Sequence, residues 1–153
     1  MINDKAILIK QITEAFKDVL LDGGIGLSEA DAIDAYKEES FKEKCRKQDE
    51  KHNWQAISTD ALNNYYCSLS FFDAKGMRFH LPAFMIGEIK EEYRFGMAFS
   101  LTHLSDYTKS QFVLFNKEQR NAVKSFLEYL SVHPNYEFER PIIQSAIQTY
   151  WSN

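Results

Sequence analysis

The chain has 153 residues, 18 Lys+Arg against 22 Asp+Glu and a formal net charge of −4. A chain of that length forms one domain that buries roughly two thirds of its unfolded surface, so no metal or disulfide is needed to hold it. Mild acidity is the wrong sign for a nucleic-acid footprint, and no apolar run approaches the ~20 residues of a membrane helix.

The opening MINDKAILIK has no unbroken apolar core and no small-residue cleavage site, so it does not read as a secretory leader. A helix is expected from about Asp4 to Leu21, because Ile9, Ile12, Phe16, Val19 and Leu20 recur at helical spacing. Asn3 caps its start, and Gly23 and Gly24 stop it. GGIG is a fragment of a phosphate-binding loop, but it lacks the Lys-Ser/Thr pair and follows a helix rather than a strand. Ser28 opens a second helix, with Asp31 completing a variant capping box. Its narrow apolar stripe is Ala32, Ile33, Tyr36, Ser40 and Phe41. Residues 42–53, KEKCRKQDEKHN, are almost wholly polar and read equally as a solvated helix or a link. Trp54 and Ile57 return the chain to the core. Ser58 or Thr59 caps a short helix burying Ala61, Leu62, Tyr65, Tyr66 and Leu69.

The densest stretch is SFFDAKGMRFHLPAFM, residues 70–85. Asp73 to Gly76 has turn chemistry. Met77 to Leu81 alternate apolar and polar and read as a short extended piece. Met77, Phe79 and Leu81 then face inward, leaving Arg78 and His80 together outside. Pro82 suits the first turn of a helix running to about Tyr93. Phe95 to Leu101 is mixed and reads as strand or loop. Asn116 and Gln119 form a capping pair for a helix with Ala122, Val123, Phe126, Leu127 and Leu130 on its apolar face. Pro134 ends that helix, and Pro141 starts the last one, through Tyr150 and Trp151. The expected architecture is mainly α: a single domain, residues 1–153, of about six helices with at most two short extended segments.

Cys45 and Cys67 form no CxxC pair and read as free thiols of a reducing cytoplasm. His52, His80, His103 and His133 are scattered, with neither HExxH nor i,i+4 spacing, so no metal site is expected. No GxSxG and no cofactor motif occurs, so neither a nucleophile elbow nor a cofactor is expected. Two groups of residues carry candidate chemistry. Arg78 and His80, exposed ahead of a helix amino end, suit an anion or a partner's carboxylate. Asp73, across the turn, either joins that site or simply pairs with Arg78 to fix the bend. Asp34, Tyr36, Asp49, Glu50 and Trp54, together with Arg78 and His80, make a candidate protein-contact surface, since exposed aromatic and arginine anchors suit an interface.

Several blocks act together: GIGL at 24–27 followed by Ala-Ile-Asp-Ala-Tyr, Asp49-Glu50 with Trp54, the 70–85 motif, Glu118-Gln119-Arg120 with Ala122-Val123, and a terminal Tyr-Trp. In these the chain resembles a family of small bacterial proteins classed as a domain of unknown function, over about residues 23–130. The resemblance implies a free-standing bacterial cytoplasmic domain and carries no catalytic assignment. Two functions are therefore expected to compete. One is a non-catalytic interaction module, immunity-like or regulatory. The other is an enzyme or anion binder built on Asp73, Arg78 and His80, with Arg78 holding an anionic group and His80 moving a proton.

Overall fold

In a computed structural model, which describes residues 4–153, the chain is mainly helical, with no strand among the described residues. The expected cap at Asn3 lies outside the described residues. Helix α1 (Asp4–Phe16) buries Leu8, Ile12 and Phe16. It ends at Phe16 rather than near Leu21, because the Trp54 indole N–H takes the Phe16 carbonyl at 2.8 Å. Leu20 is consequently half exposed, and Leu21 is the buried residue of the following loop.

Helix α2 (Leu27–Asp34) starts before Ser28, not after it. It is separate from α3 (Glu39–Gln48). Tyr36, at φ 56°, breaks the chain between them. The polar segment after Phe41 is thus helix to Gln48 and loop beyond. Trp54–Ala56 is a 3₁₀ turn. Helix α4 (Thr59–Asn64) is capped by Ser58, whose hydroxyl accepts from the Ala61 amide at 3.1 Å. A second 3₁₀ turn covers Tyr66–Ser70.

Helix α5 (Ala74–Ile89) overturns the extended reading of Met77–Leu81, and Pro82 lies inside it rather than at its start. The apparent alternation came from a helix buried on nearly every side. Met77, Phe79, His80, Leu81, Phe84 and Met85 are all buried, so apolar residues fall at i+2 as readily as at i+4. Asp73 caps the helix nine residues before the proline. Pro82 costs one intrahelical bond, to the carbonyl of Arg78. Short helices α6 (Ala98–Thr102) and α7 (Asp106–Gln111) follow, where strand or loop was expected for the first. Helix α8 (Lys117–Ser131) begins with the expected capping box of Asn116 and Gln119. Pro134–Tyr136 is a 3₁₀ turn, and α9 (Arg140–Ala146) runs into a π turn at Ile147–Trp151. Among the described residues there are nine α-helices rather than about six, because the 28–53 segment splits and α6 and α7 form.

The central element is α5, which packs against α1, α4, α7 and the Trp54 turn. Helices α1, α8 and α9 form the adjoining layer. The seam between them is aromatic: Phe16, Phe112, Phe115 and Trp151 meet edge to face. The Trp151 indole donates to the Leu101 carbonyl at 2.9 Å, tying the chain's end to α6.

Candidate functional site

The 70–85 motif does not bring its three candidates together. Asp73 is the cap of α5. Its Oδ1 accepts from the Gly76 amide at 2.8 Å and from the Ile25 amide at 3.0 Å. The same carboxylate thus starts the helix and clamps the loop before α2 onto it. Gly76 makes the clamp possible: a Cβ there would lie 2.5 Å from the Ile25 carbonyl. Lys75 adds a hydrogen bond to the Asp22 carbonyl at 3.0 Å. The expected Asp73–Arg78 pair does not form, because Asp73 is occupied by amides.

His80 is fully buried, which overturns its expected place on the outer face. Its Nδ1 lies 2.7 Å from the Gly76 carbonyl. A carbonyl can only accept, so Nδ1 carries the proton and Nε2 presents a lone pair. That nitrogen has no partner. The ring stacks on Phe72 at 4.3 Å, nearly parallel. Burial pushes the imidazole pKa down to about 4, while the carbonyl of Gly76 and the carboxylates of Asp49 and Asp73 pull the other way. His80 is a core residue and cannot shuttle protons with solvent in this arrangement.

The second expected group is likewise mostly structural. Asp49 caps α2 from outside it. Its Oδ1 accepts from the Ser28 amide at 2.9 Å and the Ser28 hydroxyl at 2.7 Å, and its Oδ2 from the Glu29 amide at 3.0 Å. Gly26, in the cap position, leaves the room: a Cβ there would lie 2.4 Å from Asp49 Oδ2. Glu50 accepts from the amides of His52 and Asn53, which hold its carboxyl below the usual range. Trp54 is buried, so it is no exposed anchor. Among the described residues, no cluster of His, Cys, Asp and Glu is arranged to hold a metal, and no helix is long and apolar enough to cross a membrane.

Of the expected contact residues, Tyr36 stays on the surface and Asp34 adjoins residues that the sequence reading missed. Tyr36 is 96% exposed. Asp34, two residues earlier, lines a groove of about 330 Å³ with Tyr66, Cys67, Phe71, Phe95 and Phe99. Among the described residues, Asp34 is the only charged side chain along that groove. Tyr66 and Phe95 stack at 3.9 Å with 12° between ring planes, each about half exposed, and Phe99 is 65% exposed. Tyr66 was expected in the core, but the break into a 3₁₀ turn at Tyr66 rotates it outward. Phe95 and Phe99 carry no periodic signal, since they flank a turn at Gly96 with φ 74°.

Arg78 lies apart from both. It lines a cleft of about 740 Å³ between the end of α1, the start of α5 and the start of α8.

No curated protein matches the chain, and no solved structure matches it. One family model, described as a family of unknown function (DUF6714), matches residues 4–153. The match covers all the described residues, more than the 23–130 span on which the resemblance was read, and the chain belongs to that family.

Proposed function

We propose that this protein is a non-catalytic interaction module of a bacterial cytoplasm, regulatory or immunity-like, that docks a basic protein partner through its aromatic face. The observation that supports this is the exposed set Tyr66, Phe95 and Phe99, with Asp34 as the lone charge among them and Tyr36 beside it. Rigid aromatic side chains already stacked on the surface lose little freedom on binding and make good anchors. The occupant is a segment carrying an apolar or aromatic side chain for the groove and Lys or Arg for Asp34. The net charge of −4 favours encounter with such a partner. The bacterial and cytoplasmic parts of the proposal rest on the resemblance of the central motif and on the unpaired thiols.

The enzyme reading loses its named geometry. Asp73 is a cap, His80 is sealed in the core, and Arg78 opens onto a different cleft.

The test is affinity isolation from the source cell with the wild type and the F95S/F99S double variant in parallel, followed by calorimetry with the purified partner. The expected result is a basic partner whose Kd weakens at least tenfold for the double variant and weakens severalfold for Asp34→Lys. Each variant should keep the wild-type melting temperature, since these side chains are exposed. A partner that binds the double variant as well as the wild type overturns the proposal.

A further inference from the structure

The Arg78 cleft is a separate matter from the aromatic face. Arg78 is half-buried, and its Nε is closed to water with no acceptor in the protein. Neither hydrogen bond nor ion pair joins its guanidinium to another described residue. Unpaired charges on an open surface are ordinary, because exposed pairs gain little. A guanidinium half withdrawn from water and left without an acceptor is not.

The same cleft is lined by Glu14, Asp18, Asp22 and Glu118. Two of these are neutralised inside the protein: Glu14 by Lys17 at 3.4 Å and Asp22 by Lys75 at 3.3 Å. Asp18 and Glu118 are unpaired among the described residues. Apart from the Lys17–Glu14 pair, Arg78 and the carboxylates of Asp18 and Glu118 therefore share one cleft without meeting each other. Gln119 is tied down by the Asn116 amide and the Ala15 carbonyl. Gln11 and Asn121 leave their side-chain amides open to the cleft.

We infer that this cleft binds a small zwitterion, an amino acid or short peptide with free ends, whose carboxylate is held by Arg78 and whose ammonium is held by Asp18 and Glu118. The outer edge of the guanidinium fork, which lines the cleft, matches a carboxylate in two parallel hydrogen bonds. Gln11 and Asn121 offer one donor and one acceptor each to a peptide bond lying between the ends. The cleft's volume falls in the range of small-molecule sites and far exceeds an inorganic anion. A simple anion is further disfavoured by the two unpaired carboxylates beside it.

The experiment is an NMR titration of the ¹⁵N-labelled full chain with triglycine, N-acetylglycine (carboxylate only), glycinamide (ammonium only) and inorganic phosphate. Triglycine is expected to shift amides at the end of α1, around Arg78 and at the start of α8. The three single-charge probes are expected to bind at least tenfold more weakly. Arg78→Gln should abolish the triglycine shifts while keeping a dispersed spectrum. Asp18→Asn, an exposed change harmless to folding, should weaken triglycine severalfold and leave N-acetylglycine unaffected; it keeps the test decisive if Arg78→Gln does not fold. The inference is overturned if about 10 mM triglycine moves no cleft amide, if phosphate or N-acetylglycine binds as tightly as triglycine, or if Asp18→Asn changes nothing.

Discussion

His80 shows how one side chain couples the core to pH. Its ring is a polar group held inside apolar packing by a single hydrogen bond to its own helix and a stack on Phe72. The unfolded chain takes a proton on this imidazole near pH 6.5, and the folded chain resists until about pH 4. The unfolded state therefore binds more protons in that window, so the stability that His80 supports is complete above pH 6.5 and is lost as pH falls toward 4. The loss is on the order of 3 kcal/mol. Glu88 works against it: burial raises its carboxyl pKa, so its contribution declines as pH rises from the ordinary carboxylate range. The clean readout is a difference. Urea unfolding of wild type and His80→Asn from pH 7 to 4 should show the wild type's advantage shrinking by about that amount. Parallel pH profiles would mean that the imidazole titrates normally in the folded state.

The element that organises the fold is the start of α5, where a helix amino end, a loop and a glycine fit together. Asp73 satisfies one amide of its own helix and one of the loop before α2. Asp49, just past the end of α3, accepts from two amides of the first turn of α2, those of Ser28 and Glu29. Both junctions depend on glycine for close approach, Gly76 against Ile25 and Gly26 against Asp49. Helix propensity alone makes Gly76→Ala stabilising by about 1 kcal/mol. The contact of its new Cβ with backbone makes it destabilising, by about 1–3 kcal/mol. Denaturant unfolding should show the loss, and a gain would mean that the loop docks loosely. At the other end of α5, Glu88 accepts from the Met97 amide at 2.7 Å and from the Tyr136 hydroxyl, fastening the turns before α6 and after α8.

For the whole molecule, the stability comes from one contiguous apolar core spanning α1 to the π turn, with no covalent staple. Cys45 is buried and Cys67 half-buried, both as free thiols. The melting temperature should be the same with and without reductant. A thiol reagent should label Cys67 readily and Cys45 only on unfolding. A reductant-sensitive melt, or equal labelling of the two, would contradict this arrangement. The same scale separates the two surfaces proposed for binding: the aromatic face lies by α2 and α6, whereas the Arg78 cleft lies between α1, α5 and α8. Variants of one should leave the other's ligand unaffected.

Local pattern determined the helical class, the caps at Ser58 and Asn116, the apolar face of α8 and the free thiols, because each depends on residues within one or two turns of each other. The exposure of Tyr36 is partly local too, being set by the αL break after α2. Tertiary structure decided the rest. Asp49 and Asp73 were legible as polar residues near turns, but their acceptor roles reach amides 20 to 48 positions away, which no local window contains. The apolar–polar alternation of Met77–Leu81 places His80 outside, yet it is buried because α5 is a helix that neighbouring helices close over; Trp54, read both as a core residue and as a contact anchor, is buried too. Tyr66, Phe95 and Phe99 went unread for the converse reason. Aromatic residues are core material by default, and only the packing of α5 against α4 and the turn at Gly96 leaves these three on the outside.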